Sequence, residues 1–540
     1  MSSQVPFVKY IDPRLNLNQK QEYSSAESAS LITTVYKNVN GSIGSAVTIN
    51  CNPPNRNICI SREVYKIASF KVTFNITNSS ATDAMTDIKV NPYSQGPSYM
   101  PITRITTNED MTIGNANVSQ PNAHIVRETL CRFQNDGYYS SAPNMNDTYQ
   151  TFEDVNLSVR SALAPYYDST STQFGSAVSR AGFWNIEYTF PASIAPNSTG
   201  VATLTFTSEE PLMLSPFVFG KNAQNATALV GIESAQYNCS FGNLNNVFNY
   251  NADQPLFTVS AGTLGAVTSS VEITNFGLRF TYLTPQPDYD IPRSMLYPYY
   301  EAQLRVDNTV SIADGHSLSG DVAIQLSGIP RRMYICARDT DVSGEKPLRH
   351  MALNEGSFTL RINGQNTLTG QTNKQLYDMA YRNGYNLAYS QWAKYSGSVI
   401  CLDFGKGDVS LLPLQVAGVN QKNEFEVHAE FTNKSGETMN VQFVVIYVYD
   451  GVFRMAEGAT NKLINTLSEK SVQDTKSSMK LHVDTSPDNV YGGSMYGGLV
   501  LKGVKQEVAN DVAKCLQQSG QGLDNTGGRL MSREMLRNRY

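Results

Sequence analysis

Asn423-Glu-Phe-Glu-Val-His-Ala-Glu-Phe-Thr432 is followed by the turn Asn433-Lys-Ser-Gly-Glu437 and then by Met439-Asn-Val-Gln-Phe-Val-Val-Ile-Tyr-Val-Tyr449. In the first run Phe425, Val427, Ala429 and Phe431 alternate with Glu424, Glu426, His428 and Glu430. Successive side chains of a β-strand point to opposite faces, so this run sets one face on a core and the other in water. The second run is apolar on both faces in its later half, as a central strand covered on both sides would be. Together they read as two long neighbouring strands of a β-rich domain.

The same signal recurs upstream. Phe70, Val72, Phe74 and Ile76 alternate with Lys71, Thr73, Asn75 and Thr77, and Trp184, Ile186, Tyr188 and Phe190 repeat the pattern. Val201, Thr203 and Thr205 alternate with Ala202, Leu204 and Phe206. Phe358, Leu360 and Ile362 run into Asn363-Gly364, a hairpin signal because both central turn residues need positive φ. Helical signals are few. Pro121 to Gln134 predicts one helix, with Pro121 near its first turn. Thr372 to Asn383 predicts a second, with Gly384 as its stop. Leu501, Val504, Val508, Val512 and Cys515 predict a third, near residues 500–518. The segment 90–175 is rich in turn residues and is expected to form exposed loops with a short helix.

Thr284-Pro-Gln-Pro-Asp-Tyr-Asp-Ile-Pro292 interrupts the strands, since three prolines in so short a span cannot lie in a central strand. The chain therefore divides into an arm (1–30), a first β-rich half (31–284), a second (285–460) and a tail (461–540). Each half has many short strands and one helical insert. That is the pattern of β-sandwiches and suggests two copies of one fold.

Composition excludes several classes. The 540 residues are only 16% charged, with net charge −5 and 30 tyrosines. No basic excess is available for general nucleic-acid binding. The longest apolar stretch, Phe443 to Tyr449, falls far short of a membrane span. The first residues carry no apolar signal segment, so synthesis in a reducing compartment is expected. Free thiols are then expected at Cys51, Cys59, Cys131, Cys239, Cys336, Cys401 and Cys515. On the same grounds the Asn-x-Ser/Thr triplets, such as that at Asn75, imply no glycosylation.

Little in the sequence points to chemistry. No two of His124, His316, His350, His428 and His482 lie at metal-ligand spacing, and no phosphate-loop or nucleophile-elbow motif occurs. Gly405-Lys-Gly407-Asp408 reads as a β-turn. Asp288 with Asp290, and Glu209 with Glu210, are carboxylate pairs of the type that glycosidases use, but nothing shows that either pair converges. Tyr-rich stretches, Asp136 to Tyr139 and Pro165 to Tyr167, leave a carbohydrate-binding or adhesion protein as an alternative. The chain's end differs from the rest. Arg529, Arg533, Arg537 and Arg539, against Glu534, give a local excess of three positive charges interleaved with Leu530, Met531, Met535 and Leu536. Arg529, Arg533, Met535, Leu536, Arg537 and Arg539 form a candidate docking interface for a protein, an acidic surface or a membrane face. A solubilising tail is the other reading of the same residues.

These residues resemble a family. Tyr297-Pro-Tyr-Tyr300, Leu326-Ser-Gly-Ile-Pro-Arg-Arg-Met-Tyr-Ile-Cys-Ala-Arg338, Gly384 to Trp392, Ser410 to Gly418, Phe425 to Phe431 and Val444 to Phe453 are similar to segments of the double jelly-roll major capsid proteins of icosahedral DNA viruses. The likeness is greatest to the polinton-like virus and virophage branch, with the large eukaryotic DNA viruses further off. It covers roughly 285–455 by motif and the first half by pattern, and past about 480 nothing matches. The resemblance implies an all-β fold of two tandem jelly rolls with small helical inserts, to which the residues themselves add an N-terminal arm and a C-terminal helical tail. It implies a structural role without catalytic residues, metal or cofactor. Self-association into trimeric pseudo-hexagonal capsomers of a virion shell is implied too. Further partners would be neighbouring capsomers and minor capsid, cement or penton proteins, with no sequence-specific nucleic acid. The chain would be made in the host cytoplasm and assembled there or in the nucleus. Its basic end, which the resemblance does not cover, leaves contact with an inner membrane or inner-shell protein as the expectation for the tail.

Overall fold

A computed structural model describes residues 29–37, 43–53, 58–90, 95–97, 101–130, 133, 183–217, 227–250, 255–285, 292, 294–340, 350–385, 388–395, 397–404, 408–409, 411, 419–456 and 459–466. The first group of elements is β1 (Ala29–Lys37), β2 (Ala46–Asn50), β3 (Tyr65–Asn78), α1 (Pro101–Ile105), β4 (Thr106–Ile113), β5 (Ala116–Pro121), α2 (Ala123–Leu130), β6 (Phe183–Thr189), β7 (Thr199–Pro211), β8 (Ala235–Phe241) and β9 (Leu264–Pro285). The second is β10 (Ser294–Val306), β11 (Ser317–Leu326), β12 (Arg332–Asp339), β13 (Thr359–Ile362), β14 (Gln365–Thr369), α3 (Asn373–Arg382), β15 (Ile400–Asp403), β16 (Asn423–Thr432), β17 (Met439–Ala456) and β18 (Ala459–Ile464).

Hydrogen bonding orders these strands into two pairs of sheets. In the first group β1-β9-β3-β7-β6 faces β2-β8-β4-β5; in the second β10-β17-β12-β15 faces β11-β16-β13-β14. With β6 and β18 set aside as additions, each group places its first, eighth, third and sixth strands in one sheet. Its second, seventh, fourth and fifth lie in the other. That antiparallel order is a jelly roll, and it occurs twice. Each copy also carries a helix just after its fifth strand: α2 follows β5, and α3 follows β14.

Local residue choice explains the elements. β3 buries Phe70, Val72, Phe74 and Ile76 and turns Lys71, Thr73, Asn75 and Thr77 outward. Phe70 stacks on Phe206 of β7 at 5.1 Å, so the two alternating strands meet in one core. β13 and β14 are joined by Asn363 and Gly364 at φ 52° and 74°, the left-handed conformations that this tight turn requires. α3 opens on Thr372, whose hydroxyl accepts from the Gln375 backbone N–H while the Gln375 side chain accepts from the Thr372 N–H. It closes before Gly384, at φ 106°. In the second jelly roll Gly320 of β11 lies under Phe443, where a Cβ would come within 2.2 Å of the ring. The two sheets approach there because no side chain intervenes.

Two expectations need correction. Residues 101–121 are not exposed loop: β4 and β5 form a hairpin in the first jelly roll, with Met111, Ile113 and Val118 buried. Dense polar residues masked their alternation. The helix expected from Pro121 begins later, at Ala123, because Pro121 ends β5 and Asn122 turns the chain at φ 49°. Cys51, Cys59, Cys239, Cys336 and Cys401 are free and buried. Burial pushes the Cys51 thiol up to about 12, so it packs as a small hydrophobe.

Candidate functional site

The seam between the jelly rolls is built by exchange. From the second, Tyr297 and Tyr299 of β10 and Phe453 and Met455 of β17 are buried in the core of the first. From the first, Ile125, Val126 and Leu130 of α2, with Phe133 just beyond it, are buried in the core of the second. The Phe133 ring lies edge-on to Tyr334 of β12 at 4.9 Å and to Tyr385, which follows α3, at 5.5 Å. Phe133 and Tyr385 also form a backbone bridge.

Hydrogen bonds fix the register of this contact. Tyr297 OH donates to Ala228 O at 2.8 Å and accepts from Val230 N at 3.2 Å. Gln120 Nε2 donates to Ala302 O at 3.1 Å, and Ser215 Oγ accepts from Tyr300 N at 3.0 Å. Thr460 Oγ1 accepts from Asn115 N and Ala116 N at 3.0 and 2.9 Å and donates to Ile113 O. Buried backbone groups on both sides are thereby satisfied across the seam.

Beneath α2 lies a buried charge cluster. Glu109 of β4 pairs with Arg127 of α2 and with Lys66 of β3 at 3.4 Å, and accepts from Tyr237 OH at 2.6 Å. Glu210 of β7 accepts from Ile102 N, Thr103 N and Thr103 Oγ1 at 2.6, 2.8 and 2.6 Å. Burial pushes the Glu210 carboxyl up, against the pull of Lys66 and these donors. Two cations and two carboxylates balance where all four side chains are buried, the condition under which charges are tolerated in a core. Arg127 thus ties α2 to its own sheet while the helix gives its apolar side to the other jelly roll. The second jelly roll has a smaller counterpart: buried Asp403 accepts from Arg331 and Arg332 at 3.2 and 2.8 Å.

Glu209 and Glu210 do not converge. They are neighbours on one strand; Glu210 points inward, while Glu209 pairs with Arg279 at 2.5 Å. Asp288, Asp290, Cys131, Cys515, His482, the 500–518 helix and both Tyr-rich stretches lie outside the described residues. So do Arg529, Arg533, Met535, Leu536, Arg537 and Arg539. His428 faces outward on β16 and meets Asp321 at 2.5 Å. Asp408, of the predicted turn, accepts from Asp403 N at 3.0 Å and from Asn383 Nδ2 at 2.6 Å. Among the described residues no three His, Cys, Asp or Glu side chains group as metal ligands, and no helix is long and apolar enough to cross a membrane.

What remains as a functional site is surface and seam. The family model for the Sputnik virophage major capsid protein 1st domain matches residues 6–283, just over half the chain. The chain belongs to the virophage major capsid protein family. A second model, for the major capsid protein V20 C-terminal domain, matches residues 297–451 of this capsid protein. The putative capsid protein V20 of Sputnik virophage is 22% identical over 521 residues, 90% of this chain and 84% of that protein. The fold matches the 3.5 Å structure of the Sputnik virophage with a TM-score of 0.68 at 21% identity, covering 91% of this chain and 99% of that one. It matches the mavirus major capsid protein with a TM-score of 0.63 at 15% identity, covering 88% and 98%. The protein is a structural component of the virion capsid, and nothing in these matches favours the carbohydrate-binding alternative.

Proposed function

We propose that three copies of this capsid protein assemble into a pseudo-hexagonal capsomer of an icosahedral shell. The observation that carries the reading is the doubled jelly roll joined by a head-to-tail seam: the helical insert of one copy lies on the sheet of the next. Contacts of that kind, repeated between chains, close into a ring when the rotation from one jelly roll to the next divides the circle evenly, and six such steps make the pseudo-hexagon. A ring of six jelly rolls needs three chains of 59.5 kDa, about 180 kDa in all. A low charge content suits wide lateral contact, since charged residues are depleted at interface centres. Light scattering of the purified chain tests this directly. A stable species near that mass is expected, and a monomer at micromolar concentration overturns it.

In this reading residues 1–30 serve as an arm, 31–284 and 285–460 as the two jelly rolls, and 461–540 as a tail. Capsomers then meet one another and minor capsid, cement or penton proteins. The basic end, Arg529 to Tyr540, docks on an inner-shell protein or membrane face. Deleting residues 519–540 is expected to leave trimers intact and block higher assembly; normal shells from the truncated chain would remove the tail from the scheme.

A further inference from the structure

The far ends of β10 and β17, with β18, make a three-stranded extension whose two faces differ. Its register sets Leu296, Arg454 and Asn461 in one row and Pro298, Val452 and Leu463 in the next. The residues between them, Tyr297, Phe453 and Met455, point the other way into the first core. The opposite face therefore carries Leu296, Pro298, Val452 and Leu463 together, with Arg454 beside them. Leu296 is 55% exposed and Leu463 37% exposed, and among the described residues no other leucine is exposed. Pro298 and Val452 are half-buried. Arg454 is exposed and has no ion-pair partner among the described residues. One cation thus borders an apolar patch on strands whose other face is committed to the core.

The described chain ends on this extension. Thr466 follows closely on Leu463, and residues 467–540 continue from there. In that stretch Leu501, Val504, Val508, Val512 and Cys515 recur at helical spacing. A helix with such a stripe must cover it, and a short helix rich in valine is marginal in water on its own. The stripe spans about 21 Å at the helical rise, and the strands of the extension span about 20 Å. Asp511 lies between Val508 and Cys515 in the helical rows, at the border of the stripe. A chain the length of residues 467–500 averages about 30 Å from end to end, so the stripe can return to the strand that the chain has just left.

We infer that residues 500–518 fold as a helix and dock on this patch of their own chain, with Leu501, Val504, Val508 and Val512 over Leu296, Pro298, Val452 and Leu463. Asp511 then faces Arg454. The occupant is fixed by where the chain leaves the fold, and by the match of an apolar stripe with one anion to an apolar patch with one cation. The tether holds the segment near the patch at roughly millimolar effective concentration, so the chain's own tail outcompetes one from elsewhere. Docking also sets the starting point of the basic end, Arg529 to Tyr540, beside the seam of the two jelly rolls. The inference goes beyond the capsomer reading and does not need it, since a monomer can dock its own tail.

The test uses the full-length chain carrying Leu463→Cys. Cys515 lies on the stripe, whereas Cys51, Cys59, Cys239, Cys336 and Cys401 are buried. Mild oxidation is expected to join the new thiol to Cys515, read by peptide mass spectrometry. Ser319→Cys, exposed on β11 of the other sheet, is expected to give no such link. In a mixture of isotope-labelled and unlabelled chains the link should stay within single chains. The double variant Leu296→Asp, Leu463→Asp keeps the fold, because both side chains face water. It should lower hydrogen-exchange protection over residues 501–515 at least about tenfold. The inference is overturned by no link from Leu463→Cys, by equal linking from Ser319→Cys, by links between labelled and unlabelled chains, or by unchanged protection in the double variant. Light scattering of the same samples reports the trimer separately, so either reading can fail while the other stands.

Discussion

β3 and β12 hold the same place in their jelly rolls, third in sequence and inner in the sheet, yet their residues differ. β3 alternates, with Phe70, Val72 and Phe74 inside and Ser69, Lys71 and Thr73 outside. β12 reads Arg332-Met-Tyr-Ile-Cys-Ala-Arg-Asp339 and is buried throughout. Topology therefore does not determine which strand is two-sided; the neighbour does. The first jelly roll covers the second's sheet with α2, while the outward residues of its own β3 stay half-buried or exposed. Charge follows the same logic. The first core holds a closed cluster of Lys66, Glu109, Arg127 and Glu210, whereas the second sets Asp403 beside Arg331, which is 31% exposed and reaches water.

The largest test of that contrast is Glu109→Ala, which leaves Lys66 and Arg127 buried without their carboxylate. It is expected to cost about 3–5 kcal/mol, read from denaturant midpoints. Asp403→Ala should cost less, because it strands one buried cation, Arg332, while Arg331 can turn to solvent; equal losses would erase the distinction between the clusters. Next, Phe133→Ala should remove about 3–4 kcal/mol by opening a cavity against Tyr334 and Tyr385. Although Phe133 belongs by sequence to the first jelly roll, the lost protection should appear in the second, in hydrogen exchange of β12. Protection lost only around α2 would contradict the exchange of core residues. Gly320→Ala forces a methyl into the Phe443 ring and should cost about 1–3 kcal/mol, visible as a lower thermal midpoint.

The smallest effect concerns Glu301 of β10. Burial raises its carboxyl, but hydrogen bonds from Lys462, Gln303 and Tyr299 outweigh this and hold it below the ordinary value. The folded state then binds a proton less readily than the unfolded chain. Its contribution is complete above the ordinary carboxylate range and is lost as pH falls through the lowered folded value. Lys462→Met should flatten that acid limb by less than about 1 kcal/mol, since the pair is partly exposed. An unchanged acid limb in denaturation curves would show that Lys462 does not set it.

Much of the fold was legible because one-sided burial writes a period of two. Phe425 to Phe431, Phe70 to Ile76 and Ala202 to Phe206 are all placed as their alternation implies. The Asn363-Gly364 turn and the Thr372 to Asn383 helix are local chemistry and were equally readable. The seam was not. Tyr297, Phe453 and Met455 look like ordinary strand residues, and no periodicity says which of two cores a long strand will enter. Glu109, Arg127 and Lys66 carry no signal in the sequence, because burial of a balanced cluster leaves no trace in any one residue's surroundings in the chain. Glu210 stood out only as half of a carboxylate pair, a pattern that its neighbour's opposite direction dissolves.

β17 has a consequence for synthesis. Its far end supplies Phe453 and Met455 to a core otherwise lined by both sheets of the first jelly roll. A nascent chain halted at residue 300 carries the entire sequence of the first jelly roll's own strands and still lacks part of its interior. The first half therefore stays incomplete on the ribosome until the second is nearly finished. A truncated product displays open apolar surface, the mark by which chaperones and proteases recognise failures. A shell made of many identical blocks is in this way protected against half-blocks, because none of them can reach a finished state.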